Sequence, residues 1–408
     1  MTETNHLALV IEDNQTRDKH ITTTPEQRFQ KIIIPIIVSV FAIYLSIGMT
    51  LGVLPGFVKN ELKFDSLLVG VVIGLQFLAT LLTRAYAGKL TDTKGPKSSS
   101  KIGILLIILS GIIYLIAAFF SQLALVALGL IMLARIVHGI AESLSITSAL
   151  TWGIGLVGTQ KSGKVMTWNG IAMYAGIAIG APMAIWMKST FGLSSVFAGL
   201  ILLSIISWLS TVQLPTLPVD ASHVRTPFYK VIGLIAGQGL GLAFSSIGFA
   251  CLSSFISLLF AAKNWGNPSM AFMIFGTTYI LTRVFFSSFP DKFGGYRVAL
   301  VSLLIEAAGQ LLICFSLTET MALLGCALTG VGFSLIFPAL GVLAIKKVAP
   351  QMRGTALAGY AAFFDLSLAL AGPIAGLIAG WFSYQAIYLF GAISCLLALF
   401  IVFSNKHK

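Results

Sequence analysis

The sequence predicts an all-α membrane protein whose twelve transmembrane helices form two pseudo-symmetric six-helix bundles, and three observations carry that expectation. Apolar runs of about twenty residues recur from residue 32 onward, each long enough to cross a hydrocarbon core of about 30 Å as a helix. Of 408 residues, 57% are hydrophobic and 10% charged, with a mean hydropathy of +0.94, whereas soluble domains devote about a quarter of their residues to charge. A segment of the second span recurs in the eighth.

Taken in order, residues 1–31 are polar, mix both charges and lack an apolar stretch followed by a small-residue cleavage site, which predicts a short cytoplasmic tail. Spans are expected near residues 32–55, 67–88, 102–120, 123–150, 166–187 and 193–212, forming a first bundle over 32–213. A connector at 214–229 contains Pro215, Pro218 and Pro227. Six further spans, near 230–260, 269–289, 298–317, 321–345, 355–379 and 384–403, form a second bundle over 230–403, leaving a tail at 404–408.

The loops after even-numbered spans carry Lys89, Lys94, Lys97 and Lys101; Lys161 and Lys164; Arg225 and Lys230; Lys292 and Arg297; and Lys346, Lys347 and Arg353. The opposite loops carry only Lys59, Lys63, Lys188 and Lys263. Lysine and arginine concentrate in cytoplasmic loops, so both termini are expected in the cytoplasm. The net charge of +12 then reports topology, and the scatter of basic residues excludes a nucleic-acid partner.

Other chemistries find little support. Cys251, Cys314, Cys326 and Cys395 fall inside apolar runs without metal-like spacing and read as packing residues. The five histidines stand apart from one another, so no nucleophile and base arrangement for a membrane enzyme is visible. No phosphate-binding glycine loop is present, which leaves an ion gradient rather than ATP as the energy source.

The internal repeat is specific. Leu-Thr-Arg84, followed eight positions later by Asp92, returns as Leu-Thr-Arg283 and Asp291 at an offset of 199, with Gly95 and Lys97 matched by Gly294 and Arg297. A second register, offset by 191, matches Gly139 with Gly330, Gly163 with Gly354 and Pro182 with Pro373. A duplicated six-helix unit places a solute site between its halves near the membrane midplane.

These motifs resemble the major facilitator superfamily over residues 31–403. Gly88-Lys-Leu-Thr-Asp92-Thr-Lys-Gly95-Pro-Lys97 is similar to that family's loop after span two, and Asp291-Lys-Phe-Gly294-Gly-Tyr-Arg297 to its echo after span eight. Arg135-Ile-Val-His-Gly139 resembles a motif of proton-coupled exporters, and Gly176-x-x-x-Gly180-Ala-Pro182 one typical of antiporters. Phe337-Pro-Ala-Leu, Arg353-Gly and Phe364-Asp365-Leu-Ser, followed by Gly372-Pro373, resemble a bacterial branch labelled sugar-efflux or arabinose-efflux-like.

The resemblance implies a monomer in the bacterial inner membrane that needs no cofactor and works with protons, lipids and a small-molecule substrate. Its expected activity is proton-coupled efflux of a drug, sugar or metabolite by alternating access. An uncoupled facilitator, a proton-symporting uptake permease and a non-transporting receptor stand as alternatives.

Ionisable groups within a span cost at least about 2.5 kcal/mol on insertion scales, so each needs a reason. Arg135, His138, Gly139 and Glu142 share one helical face. They are expected to wall a polar cavity in which Glu142 exchanges a proton under the influence of Arg135, the two bridged by a solute, water or His138. A buried structural ion pair and, for His138, simple packing are the alternatives.

Asp365, between Phe364 and Leu366 and without a basic neighbour on its own helix, is a second proton or solute ligand candidate. Pairing with another span is its alternative. Glu306, in the ninth span, is expected to be supporting, while Arg84 and Arg283 are read as snorkelling or helix-tying residues with a shared conformational role. Gln76, Asn169, Gln238 and Tyr360, with Trp168, could complete the cavity or serve as interhelical glue.

The matched loops suggest a latch. Aspartate near the positive end of a neighbouring helix is stabilised by charge and dipole, and the resemblance implies docking of Asp92 at Arg353-Gly354 and of Asp291 at Lys161-Ser-Gly163-Lys164. Gly88, Gly95 and Gly294 would admit the tight turns. Gly176, Gly180 and Pro182, with Gly372 and Pro373, are expected to allow close helix approach and bending.

Overall fold

The computed structural model describes residues 25–158, 161–217, 228–348 and 353–406. Among them lie twelve helices long and apolar enough to cross a membrane. They are α1 (Pro25–Gly56), α2 (Ser66–Lys94), α3 (Pro96–Phe119), α4 (Ala124–Val157), α5 (Ser162–Phe191) and α6 (Leu193–Thr211). After the connector follow α7 (Phe228–Ala262), α8 (Ser269–Phe286), α9 (Gly295–Cys314), α10 (Glu319–Lys346), α11 (Arg353–Trp381) and α12 (Ala386–Lys406). A single-turn helix, Phe289–Phe293, precedes α9.

Local chemistry sets the helix ends. The Asp65 carboxylate accepts the Leu68 N–H at 2.8 Å and starts α2. Gly95 then reverses the chain at φ 83°, a conformation that disfavours side chains, and Pro96 opens α3. Gly294 does the same before α9 at φ 85°. Pro55 removes a donor near the end of α1, which closes as a wider π turn over Phe57–Glu61.

The exposure pattern is that of a chain solvated by lipid. Phe119, Leu125, Leu82 and Trp381 lie on the outside, while Arg135, Glu142, Glu306 and Asp365 are buried. With twelve helices of spanning length, the start of α1 and the end of α12 fall on one side, together with the lysine-rich loops.

Helix pairing repeats. In the first six helices the main contacts are α1 with α5 and α6, α2 with α4, and α3 with α4 and α6. Six helices later the same set returns: α7 with α11 and α12, α8 with α10, and α9 with α10 and α12. The sixes meet through α2 and α11, α5 and α8, and a smaller α1–α7 contact.

Most of the predicted connector lies outside the described residues. Its first turn rests on α4, where the Trp152 indole donates to Pro215 O at 2.9 Å. The long helices extend beyond the predicted spans, α1 beginning at Pro25 rather than near 32, because polar turns at a helix end add residues that hydropathy does not count.

Candidate functional site

Glycine brings α2 and α4 together. A methyl group on Gly139 would collide with the Gln76 carbonyl and with Ala79, so only glycine lets the backbones approach this closely. That approach delivers a stripe of α2, Gln76, Thr80 and Arg84 at i, i+4 and i+8, to the middle of the molecule.

Three donors converge on Glu142. Gln76 Nε2 donates to Oε2 at 2.9 Å, Thr80 Oγ1 lies 3.3 Å from the same oxygen, and Tyr44 OH of α1 donates to Oε1 at 3.2 Å. Thr80 Oγ1 also lies 3.0 Å from Gln76 O and Gly139 O, so one proton is shared among three acceptors. The Glu142 side chain is buried and its nearest neighbours are neutral.

Arg135 makes its direct hydrogen bonds to α1 and α2 rather than to Glu142. Its Nε donates to Val72 O at 3.0 Å, one terminal nitrogen to Ile73 O at 2.8 Å and the other to Thr50 Oγ1 at 3.2 Å. Two turns separate Arg135 from Glu142, as the sequence spacing indicates, and three of the five guanidinium N–H donors go to Val72 O, Ile73 O and Thr50 Oγ1. Its role here is to tie α4 to α1 and α2. His138 sits between them, Nε2 3.3 Å from Ser46 Oγ and Nδ1 without a described partner.

Asp365 and Arg84 form the second polar centre. Arg84 Nε and Nη2 reach Asp365 Oδ2 at 2.6 and 2.5 Å, an ion pair that joins α2 to α11 across the two halves, with the carboxylate 3% exposed. Of the two readings of Arg84, snorkelling and helix-tying, this contact is the second, and for Asp365 it is the pairing with another span. Its local cause is that Gly70 and Gly74 of α2 lie against Gly372, Pro373 and Ala369 of α11, and Gly376 against Ser66. Backbone contact at that end aims the two side chains at each other two to three turns further along.

The matching junction differs. Arg283 of α8 is buried and donates to Tyr279 OH at 2.6 Å, with its guanidinium 5.4 Å from that ring. Tyr279 stacks on Tyr174 of α5 at 3.8 Å between centroids. Phe249, stacked on Phe275 and Phe333, continues this aromatic layer, and Phe364 beside Asp365 meets Phe333 at 6.5 Å.

Of the other polar candidates, only Gln76 joins a centre. Asn169 donates to the Met173 sulfur along its own helix at 3.3 Å. Gln238 donates to Tyr296 OH at 3.2 Å, and Tyr360 OH to Phe337 O at 3.0 Å; both act as glue within the second six helices. Trp168 is largely exposed. Glu306 accepts from Ser245 at 2.8 Å between α7 and α9, away from the junctions.

The latch loops are unequal. Lys97 Nζ donates to Val212 O at 2.8 Å and Leu214 O at 2.6 Å, holding the end of α6. Arg297, its counterpart, is exposed. Asp92 is engaged, whereas Asp291 is exposed and makes no bond among the described residues. Lys161 and Lys164, its expected dock, hold their ammonium groups over the Phe29 ring at 5.2 and 4.7 Å. The Arg353 side chain, expected to receive Asp92, lies outside the described residues.

The glycine motifs also divide. Gly176 and Gly180 pack into α1 at Leu45 and Met49, opposite Gly48 and Gly52, with Pro182 one turn on, inside the first six helices. Gly372 and Pro373 pack between the halves. The sequence signal for Thr80, which the reading missed, was the i, i+4, i+8 polar stripe of α2 that it shares with Gln76 and Arg84; nothing local marked Tyr44, Tyr174 or Tyr279.

Residues 36–229 and 238–408 match the model of the Major Facilitator Superfamily. An uncharacterized MFS-type transporter of Burkholderia mallei (strain SAVP1) is 40% identical over 363 residues, covering 89% of each chain. Another, of Salmonella typhimurium (strain LT2), is 38% identical over 364 residues, covering 89% of this chain and 94% of its own. Among solved structures, a D-xylose-proton symporter is similar with a TM-score of 0.74 and 18% identity over 91% of this chain and 97% of its own. The human organic anion transporter MFSD10 gives a TM-score of 0.70 and 16% identity over 92% of this chain and 99% of its own.

Proposed function

The chain belongs to the major facilitator superfamily, and on that premise we propose that this secondary transporter, which is not an enzyme, exports a small organic solute in exchange for protons. One observation carries the reading: the Arg84–Asp365 ion pair spans the two halves beside the Glu142 cluster. The halves are the rocking units, residues 32–213 and 230–403, and the termini with the lysine-rich loops face the cytoplasm across the inner membrane.

A buried ion pair is costly to open, because each charge loses its partner in a medium of low dielectric. A proton on Asp365 removes the charge that holds Arg84. Arg84 on α2 pairs with this carboxylate, and Glu142 on α4 and Tyr44 on α1 interact with it through space, so protonation of either acid changes the same field. A ligand shifts an equilibrium only by its differential affinity for the two states, and protonation of a group that bridges the halves in one state meets that condition. The exporter direction rests on the Arg135-x-x-x-Gly139 and Gly176-x-x-x-Gly180-Ala-Pro182 motifs.

Counterflow in proteoliposomes, screened with radiolabelled sugars, amphiphilic drugs and organic acids while internal pH is followed, tests the reading. Asp365→Asn should keep solute exchange and lose accumulation driven by a pH gradient. If Asp365→Asn and Glu142→Gln both leave gradient-driven accumulation and its pH profile intact, the coupling assignment is wrong. Export and import separate by which gradient polarity drives accumulation.

A further inference from the structure

We infer that Arg283 is a recognition site for a carboxylate on the solute, whose apolar body lies against the aromatic layer of α7, α8 and α10; this deepens the transporter reading and rests on it. A guanidinium offers five N–H donors. Arg283, 8% exposed, spends one on the neutral Tyr279 hydroxyl, and its Nε has no partner. No described carboxylate lies within ion-pair distance of it.

The repeat makes this informative. Arg84 and Arg283 occupy matched positions, yet Arg84 meets Asp365 while Arg283 meets no acid among the described residues. In the register that pairs Pro182 with Pro373, the position matching Asp365 is Tyr174, and Tyr174 stacks on Tyr279 next to Arg283. The same junction is thus built twice, and the second copy keeps the cation without the anion. A buried cation in a span needs compensation, and a planar fork of donors matches a carboxylate bidentately.

The surroundings agree. On α5 the guanidinium faces Gly170, which presents no side chain to it; a carbon added there would come into contact with Nη2 at 4.0 Å. The adjoining wall is aromatic: Phe249 stacks on Phe275 at 5.4 Å and on Phe333 at 5.5 Å, a surface suited to an aryl or alkyl body.

The test is binding to the purified full-length protein, which needs no gradient and so stands or falls apart from the coupling assignment. Melting temperature and equilibrium affinity are measured with benzoate, phenylacetate, phenylpropionate and octanoate against their uncharged amides. At least one acid should bind at least tenfold more tightly than its amide, Arg283→Gln should abolish that preference, and Arg283→Lys should retain part of it. Tyr174→Asp, which places an internal carboxylate at the matched position, should compete the acid away, while Tyr174→Phe should not. Repeating the measurement in phosphatidylcholine nanodiscs with and without phosphatidylglycerol separates a free acid from a lipid headgroup, which would show as loss of acid binding only when the anionic lipid is present. The proposal falls if no acid binds the native protein, if amides bind as well as acids, or if Arg283→Gln and Tyr174→Asp keep the acid preference.

Discussion

The two junctions between the halves use matched residues to different ends. At α2 and α11, glycine lies against glycine, and the arginine two to three turns on is neutralised by Asp365. At α5 and α8 a single glycine, Gly276, meets the Ala178 methyl, and the arginine stands among tyrosines. A duplicated helix pair can therefore become a strap in one copy and a receiver in the other, by exchanging one carboxylate for a phenol.

The sharpest way to break that comparison is to remove each arginine in turn. Arg84→Gln leaves Asp365 buried without its partner and should cost about 3–5 kcal/mol, the usual penalty for half of a buried pair; the Arg84→Gln, Asp365→Asn double variant should recover much of it. Arg283→Gln removes one hydrogen bond and should cost about 1 kcal/mol. Equal falls in melting temperature for the two single variants would erase the distinction.

A smaller effect is expected at the glycine contact. Gly372→Val drives a side chain into the Gly70 carbonyl and should cost about 1–3 kcal/mol, as overpacking does, while raising maleimide labelling of a Leu67→Cys reporter beside the forced seam. Gly276→Ala sets its methyl carbon 2.0 Å from the Ala178 Cβ, which no rotamer change can move, and should cost a similar amount. Labelling that stays unchanged in Gly372→Val would mean that the seam does not hold the halves.

The loops sharpen the contrast further. Lys97→Met loses two carbonyl contacts at the end of α6 and should lower stability by about 1 kcal/mol, whereas Arg297→Met, on an exposed side chain, should stay within about 0.5 kcal/mol. The smallest stability effect belongs to Asp291→Asn, within about 0.5 kcal/mol by thermal melting. On the proposal that Asp291 docks on α5 when the lysine-rich side closes, solute exchange should nevertheless slow. Unchanged exchange would remove the second latch.

Much of the architecture was legible because lipid imposes a simple rule: every span must be long, apolar and helical. The twelve spans follow from it. Glu142 and Gln76 were legible for a related reason, since a polar group inside such a span is rare enough to stand out. Partnership was not. Arg135 and Glu142 share a helix face, yet their partners lie on α1 and α2, and the face alone cannot say which carbonyl or hydroxyl waits opposite. Asn169, Gln238 and Tyr360 drew the same attention as Gln76 and turned out to bond along their own helix or within the second six.

By itself the sequence determined the helices, their number, the duplication and the identity of the few buried charges, because each of these is set by hydropathy, spacing or composition along one strand of chain. Only the tertiary structure decided that Arg84 closes on Asp365 and that Arg283 closes on no acid among the described residues. The positions to be compared lie 281 residues apart, and what separates a paired charge from an unpaired one is a few ångströms between helices that sequence spacing does not measure.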